Sequence, residues 1–173
     1  MTASLSDLEA RLIAMEHVNA IKELQSRYWT CVDRQKLDTV RDCFVATGAV
    51  IDMQGVPPCH DREDFIKVLK ANGGKPGFHS LHTGNNPSIK LTGPDTANGF
   101  WDAFFVGIDV GDRLTYQLSG EYNNKYVLRD GRWYIQTQHF RQTSLLVQKI
   151  AEDGSPTVLT FGLPDPSVFD KTE

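Results

Sequence analysis

With 173 residues, 40% of them hydrophobic and 23% charged, the chain has apolar content enough for one domain with a real core. A net charge of −4 gives no broad basic field to hold a phosphate backbone, which argues against a nucleic-acid partner. No apolar run is long enough to span a bilayer, and Met1 to Glu9 lacks the basic and apolar stretches of a secretory signal, so no membrane partner and a cytoplasmic location are expected.

The first part of the chain predicts helices. Ser6 is a plausible N-cap with Glu9 as its capping-box partner. Leu8, Leu12 and Met15 open an apolar stripe that Ile21, Leu24, Tyr28 and Cys31 continue at helical spacing. Leu37, Val40 and Phe44 mark a second helix, stopped near Gly48. Ala49 to Met53 reads as a short strand. Asp61 can cap a third helix with Phe65, Ile66 and Leu69 on its inner face, ended by Asn72-Gly73-Gly74.

After Pro76 the pattern changes to long segments rich in aromatic and β-branched residues: Phe78 to Leu91, Ala97 to Val110, Leu114 to Leu128 and Arg132 to Val147. Gly93-Pro94-Asp95, Gly111-Asp112 and Asp130-Gly131 separate them, and Asp-Gly is a strong hairpin signal. Helices followed by an antiparallel meander define an α+β fold. The expected domain spans residues 1–150, with an irregular tail over 151–173. In the second of these strands Trp101 and Phe105 point one way and Phe100, Phe104 and Val106 the other; in the third, Tyr116, Leu118, Tyr122 and Tyr126 share a face. Bulk on both faces suggests a homo-oligomer, dimer or trimer, formed through the sheet. The alternative is a few exposed aromatics with no partner.

Cys31, Cys43 and Cys59 are odd in number and widely spaced, which fits packed, reduced thiols rather than a disulfide framework or a zinc site. Among five histidines, His17 and His60 read as surface residues. His79 and His82 lie on one strand at a spacing that turns them to opposite faces, a poor arrangement for a shared metal. His82 shares its face with Phe78 and Ser80; it is either a satisfied core histidine or a catalytic one. Asp33 ends the first helix, where the helix dipole disfavours an anion, a hint that it has a cationic or N–H partner. Arg141 alternates onto one face with Trp133, Ile135, Thr137 and His139, so it either snorkels or binds something. The chain has no Gly-x-Gly-x-x-Gly and no P-loop to hold a nucleotide.

Three stretches, taken in order over about residues 5 to 147, carry a family resemblance. They are Ala20-Ile21-Lys22-Glu23-Leu24 with Tyr28 and Cys31-Val32-Asp33; His82-Thr83-Gly84-Asn85-Asn86-Pro87-Ser88-Ile89 leading into Gly99-Phe100-Trp101; and Asp130-Gly131-Arg132-Trp133-Tyr134-Ile135. Together they resemble the SnoaL-like family of the nuclear transport factor 2-like superfamily, in particular its bile-acid 7α-dehydratases and, more distantly, scytalone dehydratase and lindane dehydrochlorinase. The resemblance implies a cone-shaped barrel, a curved antiparallel sheet wrapped around helices. It also implies a cavity holding a His82–Asp33 dyad, with Tyr28 and Arg141 lining the site. Phe78, Trp101, Phe105, Trp29 and His139 would then contact substrate. One departure stands out: the bile-acid enzymes carry a further Asp where this chain has Phe105, and Asp102, three positions away, should face the other side.

On that resemblance the chain is a cofactor-free, metal-free lyase or isomerase. Asp33 holds His82, which removes a proton from an apolar, ring-containing substrate by dehydration, isomerisation or cyclisation. Two other readings use the same barrel: the non-catalytic small subunit of an aromatic-ring-hydroxylating dioxygenase, and a plain small-molecule-binding module.

Overall fold

The computed structural model describes residues 4–73 and 75–162. Helix α1 (Leu5–Asp33) begins on Ser4 rather than Ser6: the Ser4 hydroxyl accepts the Asp7 N–H and the Asp7 carboxylate accepts the Ser4 N–H, each at 3.1 Å. The capping box is the expected kind, two residues earlier. The apolar stripe divides. Leu8, Leu12 and Met15 are exposed, whereas Ile21, Leu24, Tyr28 and Cys31 are buried, because only the second half of α1 packs into the concave side of the sheet. His17 is half-buried rather than a free surface residue; its Nδ1 accepts the Trp133 indole N–H at 3.1 Å.

The end of α1 is tightly specified. Lys36 N–H donates to the Cys31 carbonyl and Gln35 N–H to the Val32 carbonyl, with Gln35 at φ 54°. This left-handed cap stops the helix just past Asp33 and turns the chain into α2 (Leu37–Arg41). Helix α2 is shorter than the apolar spacing suggested, and Phe44 instead bridges to Ile135. Strand β1 (Val50–Met53) follows. Helix α3 (Arg62–Gly73) starts where Asp61 accepts the Asp64 N–H at 2.8 Å, and Phe65 and Ile66 are its buried face.

Strands β2 (Phe78–Leu91), β3 (Thr96–Asp109), β4 (Leu114–Arg129) and β5 (Arg132–Ile150) form the antiparallel meander. The expected irregular tail is corrected in part: Pro156–Gly162 is a strand, β6, antiparallel to the end of β5, and residues 163–173 lie outside the described residues. Strand β1 runs parallel to the middle of β5 on the same edge. The sheet order β1-β5-β4-β3-β2 leaves β1 and β2 unpaired with each other, so the sheet is a curved, unclosed cone around α1. Close approach of helix and sheet needs glycine at one point: a Cβ on Gly84 would stand 2.0 Å from the Trp29 ring. All three cysteines are free and buried.

Two bulges set which residues face inward. Lys125 pairs with Thr137 but Tyr126 with Ile135, which leaves Gln136 extra; Ser119 pairs with Ser144 but Gly120 with Gln142, which leaves Thr143 extra. An extra residue inverts the alternation that follows it. Trp133 and Ile135 are therefore buried inward, but beyond Gln136 it is Gln138 and Phe140 that are buried.

Candidate active site

Asp33 and His82 meet, 49 positions apart in sequence. His82 Nδ1 lies 2.6 Å from Asp33 Oδ1. The His82 backbone N–H donates to Oδ2 at 2.8 Å, and the Ser80 hydroxyl donates to Oδ1 at 2.9 Å. Strand β2 is a sheet edge, so its outward N–H groups lack ladder partners; the end of α1 supplies one. These donors offset the unfavourable dipole at the helix C-terminus. Burial pushes the Asp33 carboxyl up, but hydrogen bonds from His82 and Ser80 and the charge of the ring outweigh it and hold the group below its ordinary 3.8.

His82 stands on the wall of a cavity of about 180 Å³. Its apolar lining is Met53, Ala103, Phe105, Leu118 and Phe140; the polar lining is Gln54, Gln142 and Tyr122. The Phe105 ring centroid lies 4.7 Å from the His82 ring. Asp33 occupies Nδ1, so Nε2 is the ring nitrogen left for the cavity. The Asp102 carboxylate, on the other face, accepts a hydrogen bond from the Asn86 amide at 2.7 Å.

The other expected site residues are placed differently. Arg141 and His139 are turned to the outer face by the bulge at Gln136. There Arg141 Nη2 pairs with Asp52 Oδ2 at 2.5 Å, and His139 Nδ1 lies 3.3 Å from the same oxygen. Tyr28 is 2% exposed; its hydroxyl accepts from Gln138 Nε2 at 2.9 Å and its ring packs on Phe44 and Phe65, so it does not line the cavity. Tyr122, not Tyr28, is the tyrosine on the cavity wall. Trp29 and Trp101 are core: they meet edge to face, and the Trp101 indole donates to Tyr126 at 3.0 Å. Phe78 shares the His82 face farther along β2, its ring against Tyr116. Sequence reasoning missed Tyr122, Gln54 and Gln142 as cavity residues. Only Tyr122 carried a signal, its place on one face with Leu118.

Two results follow from this placement. Arg141→Ala should leave turnover within about twofold and cost about 0–1 kcal/mol, the range for a partly exposed ion pair, in paired rate and thermal-unfolding measurements. Asp33 and Asp52 both titrate below 3.8, Asp52 chiefly through its hydrogen bond from Arg141. Depressed folded-state values stabilise the protein above the unfolded carboxylate value, and that stability is lost as pH falls through the folded ones. Unfolding temperature should therefore drop steeply below about pH 4 in a pH series, and less steeply in Asp52→Asn.

Comparison with known proteins gives the family. Residues 14–139 match the SnoaL-like domain, and the chain belongs to that family. Solved structures share its fold. A protein assigned as a scytalone dehydratase from Novosphingobium aromaticivorans is 18% identical, with TM-score 0.71 over 96% of this chain and 99% of that one. Hexachlorocyclohexane dehydrochlorinase LinA-type3 from Novosphingobium barchaimii is 19% identical, with TM-score 0.70 over 90% and 99%. A protein assigned as an aromatic-ring hydroxylase from Novosphingobium aromaticivorans is 20% identical, with TM-score 0.70 over 83% and 94%. Among the described residues, no helix is long and apolar enough to cross a membrane.

Proposed function

We propose that the protein is a cofactor-independent lyase of the dehydratase type, acting on an apolar, ring-containing small molecule through the Asp33–His82 dyad. The observation that carries this reading is the 2.6 Å contact between carboxylate and imidazole on the wall of a mainly apolar cavity. Asp33 fixes the tautomer and stabilises the imidazolium that forms. His82 Nε2 removes a proton beside an activating carbonyl. The C–H electron pair becomes the new double bond, the C–O bond breaks, and the leaving hydroxide takes the proton from His82. Water departs and the dyad is reset. General-base help of this kind supplies about two to four orders of magnitude.

Tyr122 lines the cavity, and in this reading its phenol serves as donor to the developing oxyanion. Burial pushes its hydroxyl well up from 10.0, so it stays protonated. Isomerisation uses the same proton abstraction with reprotonation at another carbon. A non-catalytic subunit would give this carboxylate–imidazole pair no work. The outer face of the sheet carries exposed Leu81, Phe104 and Ile108, the surface assigned here to self-association. A panel of β-hydroxy cyclic ketones, followed by ultraviolet absorbance, tests the reaction. Growth of a conjugated enone signal that depends on His82 is expected; turnover equal in the His82→Ala variant would refute it.

A further inference from the structure

We infer that the cavity selects a neutral, single-ring substrate bearing at least one hydrogen-bonding oxygen, and excludes fused-ring and anionic compounds. This rests on the site proposed above as its location but not on the chemistry assigned to His82.

Size sets the first limit. An apolar protein cavity of about 150 Å³ is enough for benzene, and drug-sized ligands occupy about 300 Å³ or more. A cavity of about 180 Å³ takes one six-membered ring with a small substituent. Phe105 and Phe140 are large side chains on its wall, and Phe140 is pinned against Tyr122 with ring centroids 4.7 Å apart. A fused second ring meets these aromatic walls.

Charge sets the second limit. Among the described residues, the only ionisable groups at the wall are His82 and the buried phenol of Tyr122. Arg141 is turned outward and spent on Asp52. An anion placed in the cavity would sit near the Asp33 carboxylate, and among the described residues no Lys or Arg lines the wall to offset its desolvation. A cation gains little either, because both Asp33 oxygens already accept hydrogen bonds.

The polar groups define what is recognised. Gln54 Oε1 accepts the Gln142 backbone N–H at 2.8 Å, which orients the Gln54 amide and leaves its N–H₂ for a ligand. The Gln142 side chain makes no hydrogen bond among the described residues and also lines the cavity. Two amides beside an apolar wall fit carbonyl or hydroxyl oxygen on an otherwise hydrophobic ring.

Equilibrium binding measured by calorimetry, on the whole chain, tests this with phenol, cyclohexanone, sodium benzoate, 2-naphthol and testosterone as probes. Phenol and cyclohexanone should bind saturably, and benzoate, 2-naphthol and testosterone at least about tenfold more weakly, the cost of an unpaired charge or an unfitting ring. Phe105→Ala should bring 2-naphthol up to the affinity of phenol. Gln142→Leu should weaken phenol about three- to tenfold, one hydrogen bond, and leave toluene unchanged. His82→Ala should bind phenol still, so loss of the proposed chemistry and loss of this selectivity are separable. Testosterone or benzoate binding as tightly as phenol would overturn the inference, and so would the absence of saturable binding by either single-ring probe. If Phe105→Ala does not fold, the wild-type series decides alone.

Discussion

His82→Ala is expected to reduce turnover by at least about two to four orders of magnitude while unfolding stays cooperative. The kinetic loss is large because, among the described residues, no other base lines the cavity: its remaining polar wall is Gln54, Gln142 and the protonated Tyr122. The structural loss is small for a specific reason. Asp33 keeps the Ser80 hydroxyl and the residue-82 backbone N–H, two of its three donors, because neither belongs to the deleted ring. The cost is then one hydrogen bond to a charged group, about 1.5–3 kcal/mol. Rate and thermal unfolding measured on the same preparation check both halves.

Asp33→Asn is expected to cost nearly as much activity, about two orders of magnitude or more, by a different route. The carboxylate accepts on both oxygens: Oδ1 from the Ser80 hydroxyl and the ring, Oδ2 from the backbone N–H of His82. An amide can accept at only one of the two places. If its oxygen faces the backbone N–H, its NH₂ faces Nδ1 and forces the proton onto Nε2, the nitrogen needed as base. If its oxygen faces the ring, NH₂ meets N–H and a buried donor is orphaned, at about 1–3 kcal/mol. Either orientation disables the site or strains it. A single-turnover measurement of the proton-transfer step, with KM recorded beside it, should show the loss in rate with binding nearly unchanged.

Much of this architecture was legible in the sequence. The four long strands lie within a few residues of the segments marked by Gly93-Pro94-Asp95, Gly111-Asp112 and Asp130-Gly131, because turn chemistry is local. The family resemblance named Asp33 and His82, and the coordinates bring them together. Bulges were illegible. Strict alternation from Trp133 put His139 and Arg141 on the inner face, and one extra residue at Gln136 reversed both. The apolar spacing of Leu8, Leu12 and Met15 was real, but the sheet covers only the second half of α1. Strand β6 was hidden because its pairing with β5 is set by the reversal at Asp153-Gly154-Ser155, whose turn signal went unread. Glutamine carries no signature of chemistry, so Gln54 and Gln142 could be found only in space.

Nitrogen-15 NMR of the histidine side chains tests the dyad most directly, because it needs no substrate. Neutral His82 should carry its proton on Nδ1, hydrogen-bonded to Asp33, with Nε2 unprotonated, and Asp33→Asn should erase that signature. A His82 proton resting on Nε2 in the wild-type protein, or a ring signal unaffected by Asp33→Asn, would contradict the assignment of this pair as a poised base.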